Sequence, residues 1–460
     1  MTHQPHSIVL LVPEIKELLR AKDYALLKSV LKECNPVDFA DAWRMFEDGE
    51  KLQIFKLFNT ASALRLFETL EVEDQRSLLD KLSAENVAPL LEGMDSPDLA
   101  KIFNRMPARA VKKMTSLIKR QEALAHIDLL MKYPEHTAGS IMHPEFVKLT
   151  PKNTARQALS RLSAILRPNQ QKDHLYSLFV TDEEGRVVGA LTLQDLIAAP
   201  EDEVLSELMT SVESLKILPH VDQEEVARLF AKYQLTAAPV TDDHGRLLGV
   251  ITANDMLSIV RQEATEDIAK MVGTRAVDVN TRSIFKIVGY RMPWLLVTLG
   301  AGMVISLIIR SFEPILAQVI ALASFSPLIA GMGGNVGSQS ATIVVRSIAL
   351  GQINGHRKMT TILREAGVGL TMGVVYGGLL GLIAYGIYGD RYHLQFSLVV
   401  AVGMCTSMTI AAIMGAVGPI LLDQLEIDPA TATGPLITTF TDIISNLTYF
   451  ALATALLVRT

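Results

Sequence analysis

The chain has 460 residues, room for three or four domains, and its 43 Lys and Arg against 49 Asp and Glu give a formal net charge of −6. No basic cluster stands out, which argues against a nucleic-acid partner, and Cys34 and Cys405 supply no disulfide framework. Hydrophobic residues make up 49% of the chain, but the text is charged and periodic up to about residue 289 and dominated by long uncharged runs beyond it.

The early "SIVLLV" is too short to read as a signal peptide and lacks a basic flank, so none is expected. Residues 36–115 repeat at a spacing of 24: Ile54/Phe55/Phe58, Leu78/Leu79/Leu82 and Ile102/Phe103/Met106, with turn-like "EDGE", "EVED" and "MDSPD" between them. "MDSPD" offers an N-cap followed by Pro97 at a helix start. The pattern predicts a stack of short helices, which taken alone is a spacer or docking module.

A clearer repeat follows. "VTDEEGRVVGALTLQDLI" (180–197) realigns with "VTDDHGRLLGVITANDML" (240–257) at an offset of 60, with eight identical positions. Each copy predicts a strand, a tight turn, a second strand and a helix opening at Thr-x-x-Asp. The pattern, spacing and duplication resemble a tandem CBS pair over roughly residues 138–262. That resemblance implies a regulatory module binding ATP or another adenosyl nucleotide, with Thr192, Asp195, Thr252 and Asp255 facing ribose or phosphate. The residues by themselves favour helix capping, since Thr and Asp cap helix starts and no dedicated phosphate loop is present.

Acids crowd the second copy and its exit: Asp222, Glu224 and Glu225 in "HVDQEE", then Glu263, Glu266 and Asp267 in "RQEATEDIAK". Glu263 and Asp267 are four apart and share a helix face. A solvated face is the first reading of such a run. Hard oxygen ligands just before a membrane domain would also suit Mg²⁺ or Ca²⁺.

Five runs then read as transmembrane helices: 292–309, 314–345, 366–389, 392–422 and 429–458, the last broken only by Asp442 near its middle. Arg346, Arg357, Lys358 and Arg364, with Arg282, Lys286 and Arg291, outweigh Arg310, Arg391 and Arg459 on the other side. This places the N-terminus in the cytoplasm and the C-terminus outside. Pro327 and the glycines of "GMGGNVGSQ" make a regular helix unfavourable there, and carbonyls so freed, with Asn335, would suit a cation; glycine packing against a neighbouring helix is the plainer alternative, and the cluster alone does not decide between them. Gly369, Gly373, Gly377 and Gly381 form a small-residue stripe for helix packing. Asp442 is costly in a membrane helix unless something offsets its charge, and Thr438, Thr439, Thr441, Ser445 and Asn446 surround it with hydroxyls and an amide. No His or Cys joins it, which disfavours a dedicated zinc or copper site. No Walker A sequence is present, so the chain does not read as an ATP-driven pump or another enzyme.

The order of parts, from helical stack through CBS pair and acidic connector to five spans with "GMGGN" and "DPATATGPLITTFTD", resembles the MgtE family of bacterial magnesium channels and transporters over nearly the whole chain. The resemblance implies a multidomain fold: an all-α superhelical N domain (1–135), α/β CBS domains (136–200 and 201–262), a connecting, plug-like helix (263–289) and an α-helical transmembrane domain (290–460). It further implies a homodimer in the bacterial inner membrane, with a pore between the two copies and Mg²⁺ as both cargo and regulator. Asp442, Asn335, Gly331 and Thr438 are then the pore residues. Asp95, Asp98, Asp222, Glu224, Asp255, Glu263, Glu266, Asp267 and Asp428 are the cytosolic sensor residues. The rival reading is a CBS-regulated exporter coupled to protons or sodium, with Asp442 carrying the coupling ion.

Overall fold

The computed structural model describes residues 7–165, 177–212, 215–274, 284–353, 355, 357–432 and 434–457. Arg282 and Arg459, and part of the expected 263–289 connector, lie outside them. The chain divides into two compact units, residues 1–259 and 260–460.

The first unit opens with short helices. Asp48–Leu57, Thr60–Thr69, Val72–Lys81, Ala84–Gly93 and Ser96–Asn104 follow one another with starts spaced by 12 residues. Each buries an adjacent pair: Ile54/Phe55, Leu66/Phe67, Leu78/Leu79, Leu90/Leu91 and Ile102/Phe103. The 24-residue spacing seen in the sequence is therefore two helices of a finer repeat. Each helix alone buries too little to hold together, so the stack depends on its neighbours. Local chemistry marks the starts, with Asn59 accepting from the Ser62 amide at 2.8 Å and Pro97 in the first turn after the Asp95 cap.

Two antiparallel hairpins follow: β1 (Ser177–Thr181) with β2 (Val187–Thr192), and β3 (Ala237–Thr241) with β4 (Leu247–Thr252). In each turn an aspartate, Asp182 or Asp242, accepts two backbone amides, and the glycine takes positive φ, 83° at Gly185 and 77° at Gly245. The copies join at these turns, where Val187 N donates to Gly245 O and Leu247 N to Gly185 O, both at 3.0 Å. Phe179, Val187, Val212, Leu247 and Val250, drawn from both copies, form a shared core.

After β4 the connector helix runs Ala253–Met271. Four helices make up most of the remainder: an outer helix (Ile284–Ser311), a glycine helix (Ala321–Ala349), a long helix (Arg357–Gln424) and an aspartate helix (Pro435–Leu457). Among the described residues three are long and apolar enough to cross a membrane: the outer, long and aspartate helices. The long helix breaks at His393 (φ 59°, ψ −171°), so its 68 residues form two limbs. Gly369, Gly373, Gly377 and Gly381 lie between the limbs, where a Cβ on Gly377 would stand 2.5 Å from Ala401 O.

The "GMGGN" stretch corrects the sequence reading, because it is regular helix within Ala321–Ala349. Its glycines serve packing. A Cβ on Gly333 would lie 2.5 Å from Ser407 Oγ, and one on Gly415 would lie 2.3 Å from Gly337 O. Close approach of three helices offsets the low helix propensity of glycine.

Candidate cation site

The glycine helix, the second limb of the long helix and the aspartate helix are tied by buried polar contacts. Ser326 donates to Asn446 Oδ1 at 2.5 Å, Ser407 and Ser445 share a hydrogen at 2.6 Å, and Tyr449 donates to Leu322 O at 3.3 Å. Buried polar groups satisfied across helices fix relative positions. Asp442 stands in this frame on the eighth residue of the aspartate helix, nearer its N-terminal end than the uncharged run suggested.

Asp442 is half-buried, and a Cβ on Gly334 would stand 3.5 Å from its Oδ1. Its backbone carbonyl accepts Asn446 Nδ2 at 2.8 Å, while its carboxylate accepts no hydrogen bond from any described residue. Thr438, one turn before, spends its hydroxyl on Gly434 O at 3.0 Å, and Thr441 donates to Thr438 O at 2.9 Å. Thr439 Oγ1 is buried without a partner among the described residues. Gly331 and Asn335, four apart, lie on the exposed side of the glycine helix, and nothing stands within 4 Å of a Cβ on Gly331. An unpaired carboxylate with nearby amide and hydroxyl oxygens suits a hard cation that keeps several waters.

At the end of the connector helix, Lys270 joins Glu266 at 2.7 Å and Asp428 at 2.6 Å. Burial works against its charge, but these two hydrogen-bonded carboxylates dominate and raise its pKa. Asp428 also accepts the Ala430 amide at 2.8 Å. Glu263 and Asp267 lie on the same connector helix. Asp222 caps helix Gln223–Tyr233 by accepting the Glu224 amide, and Glu224 pairs with Arg228 at 2.6 Å.

Asp98 lies within electrostatic range of Asp95, Asp255, Glu68 and His143. Partial desolvation, then the charges of Asp98 and Asp95, push Glu68 up to about 7. Asp98 is likewise raised, by desolvation first and then by Asp95. Burial would raise Asp255 too, but the His143 hydrogen bond at 3.1 Å and the Thr252 contacts hold it below its ordinary value. Among the described residues no three His, Cys, Asp or Glu side chains converge into a metal cage.

Thr192 with Asp195, and Thr252 with Asp255, form side-chain caps, the backbone amides of Thr192 and Thr252 reaching Asp195 and Asp255 at 3.0 and 2.8 Å. Sequence reasoning missed Glu365, which is buried and accepts from Ser340 at 2.9 Å and Arg364 at 3.2 Å. Its place directly before an uncharged run was the available signal. Glu68 and His143 were missed because their partners are distant in sequence, and Lys270 because its second partner, Asp428, lies 158 residues away.

The chain matches the MgtE intracellular N domain over residues 34–136, the CBS domain over 138–202 and 205–262, and the MgtE family, described as a divalent cation transporter, over 326–452. It is 36% identical over 335 residues to a magnesium transporter MgtE of Thermus thermophilus, covering 72% of this chain and 73% of the relative. The chain belongs to the MgtE family. A second member, from Bacillus subtilis, is 36% identical over 331 residues, 72% of this chain and 71% of that relative. Among solved structures, the cytosolic domain of the Mg²⁺ channel MgtE in complex with ATP is similar at 30% identity and a TM-score of 0.49, covering 53% of this chain and 98% of that one. Family membership and Asp442 thus meet in the same 326–452 segment.

Proposed function

We propose that this chain carries Mg²⁺ into the cell down its electrochemical gradient, and that Asp442 holds the ion in transit. The observation that carries the reading is the half-buried Asp442 carboxylate against Gly334, without a hydrogen-bond donor among the described residues, inside the segment shared with divalent cation transporters. A charge of that kind in a membrane helix is retained where an ion offsets it. As the domain boundaries we keep a cytosolic N domain to about residue 135, CBS domains to 262, a connector, and a membrane domain from about 290. The membrane domain reads as five spans: the outer helix, the glycine helix, the two limbs of the long helix and the aspartate helix. Two copies pair, so that two Asp442 side chains face one dication, with Asn335, Gly331 and Thr438 along the path. The N-terminus is cytoplasmic, the C-terminus is outside, and the membrane is the bacterial inner membrane.

Internal Mg²⁺ closes the pore in this proposal by bridging acids between domains and subunits. Asp95, Asp98 and Asp255 form one group, and Asp222, Glu224, Glu263, Glu266, Asp267 and Asp428 supply the others. A nucleotide at the CBS pair would have to compete with the Thr–Asp caps or use other groups. The test is Mg²⁺ uptake by purified protein in liposomes under an imposed inside-negative potential. Asp442→Asn should abolish it, and uptake by that variant at the parental rate would sink the pore assignment.

A further inference from the structure

The geometry points to a binding groove for an anionic phospholipid where the two limbs of the long helix reach the cytosolic side, and this inference rests on the membrane orientation proposed above. A cavity of about 410 Å³ opens there. Lys358 and Ile362 line it from the first limb, and Val417, Ile420, Leu421 and Gln424 from the second. Such a volume lies within the range of small-molecule sites, roughly 300–1,000 Å³.

Its polarity is graded along the membrane normal. Lys358 and Gln424 lie at the limb ends, where Lys358 pairs with Asp423 at 2.9 Å. Ile362 is one turn deeper on the first limb, and Val417 is two turns deeper on the second, about 10 Å at the helical rise. The floor is therefore apolar and the mouth polar, in the order in which a phospholipid presents acyl chain and headgroup. Leu421 and Met359 remain 51% and 62% exposed, so the groove walls stay open to the surrounding medium.

Charge selects the kind of lipid. Arg346, Arg357, Lys358 and Arg364 carry the charges from residue 346 to 364; among them Lys358 pairs with Asp423 and Arg364 with Glu365, which leaves Arg357, beside Lys358 in the chain, as the cation offered to a headgroup. Arg357 is exposed. Basic side chains at the cytosolic edge of membrane helices attract anionic headgroups. A phosphodiester held by Arg357 and Lys358 would sit at the start of the first limb, where the Lys358–Asp423 pair already ties it to the end of the second.

The test uses the full-length protein in detergent, its melting temperature followed as dioleoyl phosphatidylglycerol or dioleoyl phosphatidylcholine is added. Phosphatidylglycerol should raise the midpoint further and at lower concentration. Arg357→Gln and Lys358→Gln should each weaken its apparent affinity about five-fold, the worth of one basic side chain near an anionic surface. Leu421→Trp fills the groove at a surface-exposed position, so it should keep the lipid-free midpoint and lose the phosphatidylglycerol effect. Equal effects of the two lipids on the parent, or an undiminished effect in Leu421→Trp, would overturn the inference. A change of oligomeric state in Leu421→Trp would overturn it too, by assigning the groove to a second copy. Loss of Mg²⁺ uptake by the parent in every liposome would count against the transport reading, whereas normal uptake without lipid preference would remove only the lipid groove.

Discussion

Replacing Asp442 by Asn should make the protein more stable and inactive at once. The carboxylate lies on the eighth residue of the Pro435–Leu457 helix, about 10 Å from its N-terminal end at 1.5 Å per residue, and accepts no hydrogen bond from a described side chain or amide. A charge at the centre of a membrane helix costs about 2.5–3.5 kcal/mol on insertion scales. Off-centre and half-exposed, Asp442 should carry roughly half of that, so the neutral amide should gain about 1–2 kcal/mol in Mg²⁺-free buffer. Mg²⁺ reverses the comparison, since an ion binding only the folded parent stabilises it by about 2.7 kcal/mol at a hundred times its dissociation constant. Thermal unfolding of parent and variant in detergent, with and without Mg²⁺, measures both terms, and liposome uptake measures the function. Mg²⁺ bound at cytosolic acids shifts both proteins alike, so the difference between them isolates the pore. If Asp442→Asn melts below the parent without Mg²⁺, the carboxylate has a stabilising protein partner and the reasoning fails.

Gly415→Ala would put a methyl 2.3 Å from the Gly337 carbonyl, a backbone atom that cannot swing away, so overpacking should cost about 1–3 kcal/mol. Gly331→Ala, with nothing within 4 Å at an exposed helical position, should melt at or slightly above the parent, and equal melting of both variants would refute the close packing of the glycine helix. Lys270→Met leaves Glu266 and Asp428 without their shared cation, so protease cleavage of the connector should quicken in Mg²⁺-free buffer and slow again when Mg²⁺ is added; an unchanged cleavage rate would show that the pair does not hold that region. Glu68 titrates at about 7 in the folded protein against 4.5 ordinarily, so its contribution to stability is fully present below pH 4.5 and is lost as pH rises to about 7. Glu68→Gln should flatten that part of the melting profile in Mg²⁺-free buffer, and an identical profile in the variant would remove Glu68 from the acid group.

What was legible in the sequence was local or repeated. The CBS copies could be read because each hairpin turn, from Asp182 to Gly185 and from Asp242 to Gly245, is built by neighbouring residues, and duplication doubled the signal. Asp442 stood out because a charge inside an apolar run is improbable without an ion or partner. The glycine helix could not be read this way. Glycine and proline lower helix propensity locally, and only Ser407, Ser445 and Thr441 on neighbouring helices reveal that the missing side chains make room for close contact. The acids divided on the same principle. Asp195 accepts the Thr192 amide and Asp222 the Glu224 amide, each a few residues away as capping rules anticipate, whereas the pairing of Asp428 with Lys270 spans 158 residues. The repeat of the helical stack, the caps and the lone membrane carboxylate are properties of short stretches, so sequence alone determined them. The continuity of the glycine helix, the burial of Glu365 and the groove between the limbs of the long helix depend on which helices meet, and only the tertiary structure decided those.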